Sequence, residues 1–201
     1  DTKAPKASSL KWTFDDLSIV MANCGGDHCN LTHEYAEIRE DMHKAAGYFG
    51  QEVLRKVDKN EFVSSYKALL DTVGGRAVLR AKHYLEENGR VLTAVKALKD
   101  KDENTFLDMI RESGISSRIQ LQNCFAKLDP DQRLLFGLKI AEEHPLVLAS
   151  RVHGGGFAGT MLSFTKKENA QAFVNDMQGI FGKENVFLLK VRNCGTTETE
   201  V

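Results

Sequence analysis

Residues 154–159 hold four glycines in six positions, within the string Arg151-Val152-His153-Gly154-Gly155-Gly156-Phe157-Ala158-Gly159-Thr160, and an apolar run lies on either side. Such a string cannot sit inside a helix or a regular strand, because each glycine has no side chain to pack and loses the most backbone freedom on ordering. It demands two strands, at 146–152 and 158–165, joined by a turn. Glycine there permits positive φ and a close approach of backbone to a ligand or to another chain segment. Consecutive N–H groups in such a turn can form an anion-binding nest; a strained hairpin with no ligand is the other reading. No Gly-Lys-Ser/Thr is present and no helix follows, which excludes a Walker phosphate loop and a dinucleotide fingerprint.

The remaining periodicity surrounds that hairpin. Residues 17–22 are a short apolar run with β-branched members, ended by Asn23-Cys24-Gly25-Gly26-Asp27, a strand meeting a turn. Residues 33–48 are dense in Glu, Ala, Met and Lys and predict a helix. Asn60 reads as the cap of a short helix reaching Leu70. Val78, Ala81, Leu85, Leu92 and Val95 fall at helical spacing, so 75–99 is one long helix, weakened at Gly89. Phe106, Met109 and Ile110 mark another over 103–113, interrupted by Gly114 and continued over 115–123. Asp129-Pro130-Asp131 reads as a cap with proline in the first turn of a helix running to Glu143. Ala170, Phe173, Val174, Met177 and Phe181 form an amphipathic stripe stopped by Gly182, and 186–192 is a last strand.

The order is thus one strand, four or five helices, two strands, a helix and a strand. It predicts an α+β fold: a ferredoxin-like split βαβ layer with a helical block that is inserted or covers one side. Residues 1–12 form a lead-in, 13–193 the domain and 194–201 a polar tail. The chain opens at Asp1 without a methionine, which reads as an internal start.

At 201 residues the chain suits one domain with a genuine core. A net charge of −1 offers no electrostatic basis for holding nucleic acid or an anionic membrane. No apolar run approaches the ~20 residues that span a bilayer, and the charged start is followed by no signal-peptide core. The four cysteines, Cys24, Cys29, Cys124 and Cys194, form no disulfide framework and suit free thiols in the cytoplasm.

The glycine string resembles the third signature motif of galactokinases, members of the GHMP small-molecule kinase family, usually written Arg-Met-Thr-Gly-Gly-Gly-Phe-Gly-Gly-Cys. This chain departs from it at Val152, His153, Ala158 and Thr160. The stretch Asn23 to Tyr35, with His28 and Glu34-Tyr35, is similar to a second galactokinase segment, and Arg39 follows as an arginine does there. Arg76 to His83, Ala94 to Leu98, and Phe106 with Glu112-Ser113 extend the likeness through the helical middle. The resemblance implies a GHMP kinase carboxy-terminal domain that binds a small-molecule sugar through Tyr35, His28 and Arg39. It also implies that Arg151, Gly154, Gly155, Gly156 and Gly159 brace the phosphate loop of an amino-terminal domain. The family's Gly-Glu-His-x-Asp and Gly-Leu-Ser-Ser-Ser-Ala motifs are absent from these 201 residues. No catalytic base is therefore assigned, and ATP and Mg are expected mainly on that missing domain. The fragment alone is expected to be inactive. The implied reaction is phosphoryl transfer from ATP to the anomeric hydroxyl of galactose. A galactose-binding sensor without chemistry, or a kinase for N-acetylgalactosamine, a heptose or mevalonate, are the alternatives.

Three other constellations stand in the sequence. Cys24, His28, Cys29 and His33 offer two thiols and two imidazoles, but adjacent His28 and Cys29 do not easily face one ion, which argues against a metal. Lys166-Lys167 read as solvated charges. Ser113, Ser116 and Ser117 read as hydrogen bonders at a helix end rather than nucleophiles.

Overall fold

Strand β1 (Leu17–Asn23) alternates its side chains between two covered faces. Leu17 and Ile19 point one way and Val20 and Ala22 the other. The computed structural model describes residues 9–26, 31–127, 129–157 and 159–191. Its sheet has four strands in the order β2-β3-β1-β4, with β2 at Val147–Val152, β3 at Thr160–Lys166 and β4 at Val186–Leu189. Every neighbouring pair is antiparallel. Because β3 lies between β1 and β2, and β1 between β3 and β4, this is the split βαβ layer that the element order implies.

Helices α6 (Arg133–Glu143) and α7 (Ala170–Phe181) cover one sheet face. Leu134, Leu138, Phe173, Val174 and Met177 pack there on Val20, Ala22, Val152 and Met161. On the other face α4 (Gly75–Asp100) and α5 (Glu103–Ser116) bring Ala97, Leu98, Phe106 and Leu107 against Leu17, Ala149 and Phe164. The helical block is thus both inserted between β1 and β2 and used as a cover. Helices α1 (Thr32–Tyr48), α2 (Lys59–Ser64) and α3 (Tyr66–Val73) build a second core with the first half of α4, around Ala45, Phe62, Leu69 and Ala81. With 26 residues α4 is about 39 Å long, enough to belong to both cores. No helix among the described residues is long and apolar enough to cross a membrane.

Buried charge fixes α1 on α4. Asp41 of α1 accepts from Arg76 Nε at 2.6 Å and from Arg80 Nη1 at 2.7 Å, and both Asp41 and Arg80 are buried. Burial by itself raises the Asp41 carboxyl. The hydrogen bonds and charges of the two guanidiniums outweigh it and hold the pKa below the ordinary carboxylate value. Arg80 Nε also reaches Leu121 O at 3.2 Å. One and two turns earlier on α1, Glu37 and Glu34 hold the segment before α6: Lys127 Nζ meets Glu37 at 2.5 Å, and Glu34 Oε1 accepts the Lys127 N–H at 2.9 Å.

Local signals misplace several boundaries. The cap of α2 is Asp58, whose Oδ1 accepts the Asn60 and Glu61 N–H groups at 2.8 and 2.9 Å, and the expected single helix divides at Ser65 into α2 and α3. Gly114 does not interrupt α5. A Cβ there would lie 2.7 Å from Ser150 O, so glycine is what lets the helix lie against β2. Ile115 and Ser116 continue α5 as expected, but beyond them the helix widens into a π turn over Ser117–Leu121 and ends at Gln122 with φ 61°. Asp129 caps a turn instead of a helix, accepting the Asp131 N–H at 3.0 Å, and α6 opens only at Arg133.

Candidate functional site

The turn between β2 and β3 is built as glycine demands: Gly154, Gly156 and Gly159 have φ of 65°, 81° and 68°. Phe157 also takes a left-handed φ, 60°, which costs an L residue about 1–2 kcal/mol. Two contacts hold it there. Its N–H donates to Asn123 O at 2.5 Å, and its ring meets Tyr35 edge-on with centroids 5.1 Å apart.

Three segments grip the loop. Tyr35, in the first turn of α1, donates its hydroxyl to Gly156 O at 2.9 Å, and a Cβ on Gly155 would fall 2.7 Å from its ring. Asn123, just past the π turn, is buried and bonds the loop twice: its O accepts Phe157 N–H, and its Nδ2 donates to Gly155 O at 3.1 Å. A Cβ on Gly156 would lie 2.1 Å from Asn123 O. At the end of β1, Cys24 N–H donates to Gly159 O at 2.6 Å, and a Cβ on Gly159 would lie 2.6 Å from Asn23 Oδ1. Gly156 and Gly159 are thus required twice over, by conformation and by approach, whereas Gly154 is required by conformation alone and Gly155 by approach alone.

Tyr35 remains 37% exposed and stands between two grooves. The larger, about 410 Å³, runs from Gly154 and Gly155 past Asn123 to His83, Tyr84, Glu87 and Asn88 of α4. The smaller, about 300 Å³, is lined by Arg39, His43, Val53 and Leu54. Tyr35, Ile38, Met42 and Tyr84 form a wall common to both. A sugar-sized molecule fits either volume. Burial raises the Tyr35 phenol above its ordinary pKa, so at neutral pH it remains a hydroxyl that donates to Gly156 and can accept from a ligand.

The expected residues divide three ways. Tyr35, Gly154, Gly155 and Gly156 meet at one place, and Arg39 follows Tyr35 one turn along α1 in the smaller groove. Gly159 packs on the Asn23–Gly25 turn. Arg151 instead turns toward α4, where its Nη1 is 3.7 Å from Glu87 Oε1. His28 and Cys29 lie outside the described residues. Lys166 reaches Glu103 at 2.6 Å and Asp16 at 3.4 Å, so it is an ion-paired strand end rather than a solvated charge.

Sequence reasoning missed a polar layer between α4 and α5. His83 Nδ1 lies 2.8 Å from Ser116 Oγ, Arg90 Nη2 donates to the same oxygen at 2.9 Å, and Ser113 hydrogen-bonds Glu87. Ser113 and Ser116, in the last turn of α5, are hydrogen bonders at a helix end as expected, and burial makes them members of an interior network as well. Burial lowers the His83 pKa below its ordinary value and keeps the imidazole neutral. His83 and Glu87, four residues apart on α4, were the available signal. Asn123 carried none, because its partners in the glycine loop, Gly155 and Phe157, lie more than thirty positions away. Cys24 and Cys124 are buried free thiols whose pKa burial pushes up to about 12, which leaves them inert. Among the described residues no group of three or more His, Cys, Asp or Glu is placed to hold a metal ion.

No protein-family model matches the chain. The chain is similar to curated bacterial proteins. The galactokinase of Haemophilus influenzae strain PittEE is 29% identical over 161 residues, 78% of this chain and 39% of that protein. The galactokinase of Glaesserella parasuis serovar 5 is 31% identical over 154 residues, 77% of this chain and 38% of that protein. The crystal structure of Lactococcus lactis galactokinase complexed with galactose superposes with a TM-score of 0.70 at 20% identity, over 88% of this chain and 46% of that one, which establishes a shared fold. The chain spans about two-fifths of the length of the galactokinases it matches.

Proposed function

We propose, from the similarity to galactokinases over about three quarters of its length, that this chain is the carboxy-terminal part of a cytoplasmic sugar kinase that transfers the γ-phosphoryl group of ATP to the anomeric hydroxyl of galactose. The hydrogen bond from Tyr35 to Gly156 supports the reading most directly. It joins the two segments that most resemble galactokinase motifs, 121 residues apart, at the mouth of a groove of sugar size.

In this reading Tyr35 offers its hydroxyl oxygen and ring edge to the sugar, and Arg39 contributes a charged rim beside it. His28 completes the set from outside the described residues. Gly154 and Gly155 expose the backbone on which the phosphate loop of an amino-terminal part rests, and Gly156 and Gly159, buried against Asn123 and Asn23, hold the turn in shape beneath it. Arg151 acts at one remove, holding the base of the turn through Glu87. In this reading metal, nucleotide and the catalytic base belong to the amino-terminal part. What this chain contributes is positioning, which with charge stabilisation accounts for most of the catalysis in phosphoryl transfer.

The test is an ATP-coupled assay of the full reading frame with galactose. Phosphorylation that is lost or shows a raised KM in Tyr35→Phe is the expected result. A full-length protein that binds galactose without turnover makes the chain part of a sensor, and turnover of another small molecule in preference to galactose changes the substrate.

A further inference from the structure

The polar layer between α4 and α5 leaves one nitrogen unused, and it opens on the larger groove. His83 Nδ1 is engaged with Ser116 Oγ at 2.8 Å. Nε2, on the far side of the ring, has no hydrogen bond among the described residues. It is not sealed in either, since the buried side-chain atoms left without a partner there are Ser150 Oγ, Ser163 Oγ and Thr165 Oγ1. The space that His83 lines is the groove of about 410 Å³ bordered also by Tyr35, Asn88 and Gly155.

The network decides which ring nitrogen carries the proton. A serine hydroxyl has one hydrogen to give and two lone pairs to receive. Around Ser116 Oγ stand Arg90 Nη2 at 2.9 Å, which only donates, and Gln120 Oε1 at 3.1 Å, which only accepts. Gln120 is held from turning its amide over, because its Nε2 donates to Glu86 Oε2 at 3.3 Å. The single Ser116 hydrogen therefore goes to Gln120, and the second lone pair is met by a hydrogen on His83 Nδ1. Burial keeps the ring neutral, so Nε2 is left with a lone pair. Glu86, Glu87, Arg90 and Arg151 are the charged groups around the ring, and both carboxylates are already paired, Glu87 with Arg90 Nε at 2.7 Å and Glu86 with Lys82.

Tyr35, on the same groove, is in a similar position. Its hydrogen goes to Gly156 O at 2.9 Å, so it too offers a ligand only a lone pair. An incoming group must therefore donate to both, as a sugar hydroxyl does and a carboxylate or phosphate oxygen does not.

We propose that His83 is a specificity-determining residue of the larger groove, its Nε2 accepting a hydrogen bond from one hydroxyl of the bound sugar while Ser116 fixes the ring. This deepens, and rests on, the reading of the groove as a sugar site. A site built to bond a hydroxyl rejects the analogue that lacks it, because its own acceptor is then left unpaired.

Two measurements test it. NMR of the imidazole nitrogens in the 201-residue chain reads the tautomer: a proton on Nδ1 and none on Nε2 is expected, and the reverse overturns the proposal. In the full reading frame galactose is the probe. His83→Asn keeps a side-chain N–H beside Ser116 but has no atom in the place of Nε2, whereas His83→Gln brings an amide oxygen to that place. The KM for galactose is expected to rise about tenfold in His83→Asn, with kcat within about twofold, and to recover in His83→Gln. One monodeoxygalactose is expected to lose as much with the unsubstituted protein and nothing further with His83→Asn. Equal rises in both variants, or losses that add for every deoxy sugar, make His83 structural and overturn the proposal. If the variants do not fold, the Nε2 signal of the unsubstituted protein decides, because bound galactose must shift it. Where galactose binds without turnover, its Kd replaces KM in the same comparison. Phosphorylation at unchanged KM by His83→Asn overturns this proposal alone, whereas galactose neither bound nor phosphorylated by the unsubstituted protein overturns the sugar-site reading with it.

Discussion

Asp41→Ala is the most informative single substitution for stability. Arg80 is 2% exposed, and its two hydrogen bonds go to Asp41 at 2.7 Å and Leu121 O at 3.2 Å. Removing the carboxylate leaves a buried guanidinium with one carbonyl and no counter-charge. Such a loss costs about 3–5 kcal/mol, because the charge can neither ionise away nor reach water. Arg76 also loses a partner, but its side chain is 42% exposed and it retains Glu37, so its share is within about 1 kcal/mol. For a chain of this size the total lowers Tm by about 10 °C. The measurement is urea unfolding followed by far-UV circular dichroism, with Arg76→Ala, Arg80→Met and Asp41→Leu/Arg80→Met alongside. The double apolar variant recovers most of the loss, since it removes both charges from the interior. The reasoning is refuted if Asp41→Ala costs less than about 1 kcal/mol at unchanged m, or if Arg76→Ala costs as much as Arg80→Met.

Three further outcomes follow from the same geometry. Gly156→Ala destabilises by about 3 kcal/mol, because its Cβ meets a backbone oxygen at 2.1 Å, whereas Gly154→Ala, whose Cβ meets nothing within 4 Å, costs only the left-handed penalty of about 1–2 kcal/mol; chemical denaturation ranks them. Asp58→Ala costs about 1 kcal/mol through loss of the α2 cap while Asn60→Ala is near neutral, read by thermal unfolding. Stability falls with acid in two stages, measured as unfolding free energy from pH 8 to 3. Burial holds the folded His83 pKa low, so below about 6.5 the unfolded chain takes up a proton that the folded one refuses. Asp41 and Glu87 are held below their ordinary values when folded, so their contribution is present above about pH 4 and lost as pH falls through the folded pKa.

Periodicity and glycine placement determined much of this protein without the fold. The stripe from Ala170 to Phe181, the long run over α4, and the two apolar stretches around Gly154–Gly159 each admit one local structure, because side-chain burial at period 3.6 or 2 and positive φ are local demands. Their order is enough for a split βαβ layer. The resemblance of the Tyr35 segment and the glycine string to galactokinase motifs named the pair that the fold brings into contact.

Tertiary structure decided what depends on partners distant in sequence. Gly114 reads as a break from its neighbours and is a contact surface because Ser150 lies behind it. Ser116 is the helix-end residue that its sequence context indicates, and its burial comes from His83 and Arg90, which converge on it from α4. Asn123 has no local signal, yet it holds Phe157 in a conformation the residue would not adopt alone. Strand periodicity shows that β4 is apolar, but whether its face is covered depends on how far α4 and α5 reach, which is set by where two cores share one helix. Local sequence encodes backbone preference and burial pattern, whereas the pairing of buried charges, the closeness of backbone to backbone and the completeness of a sheet are properties of which segments meet.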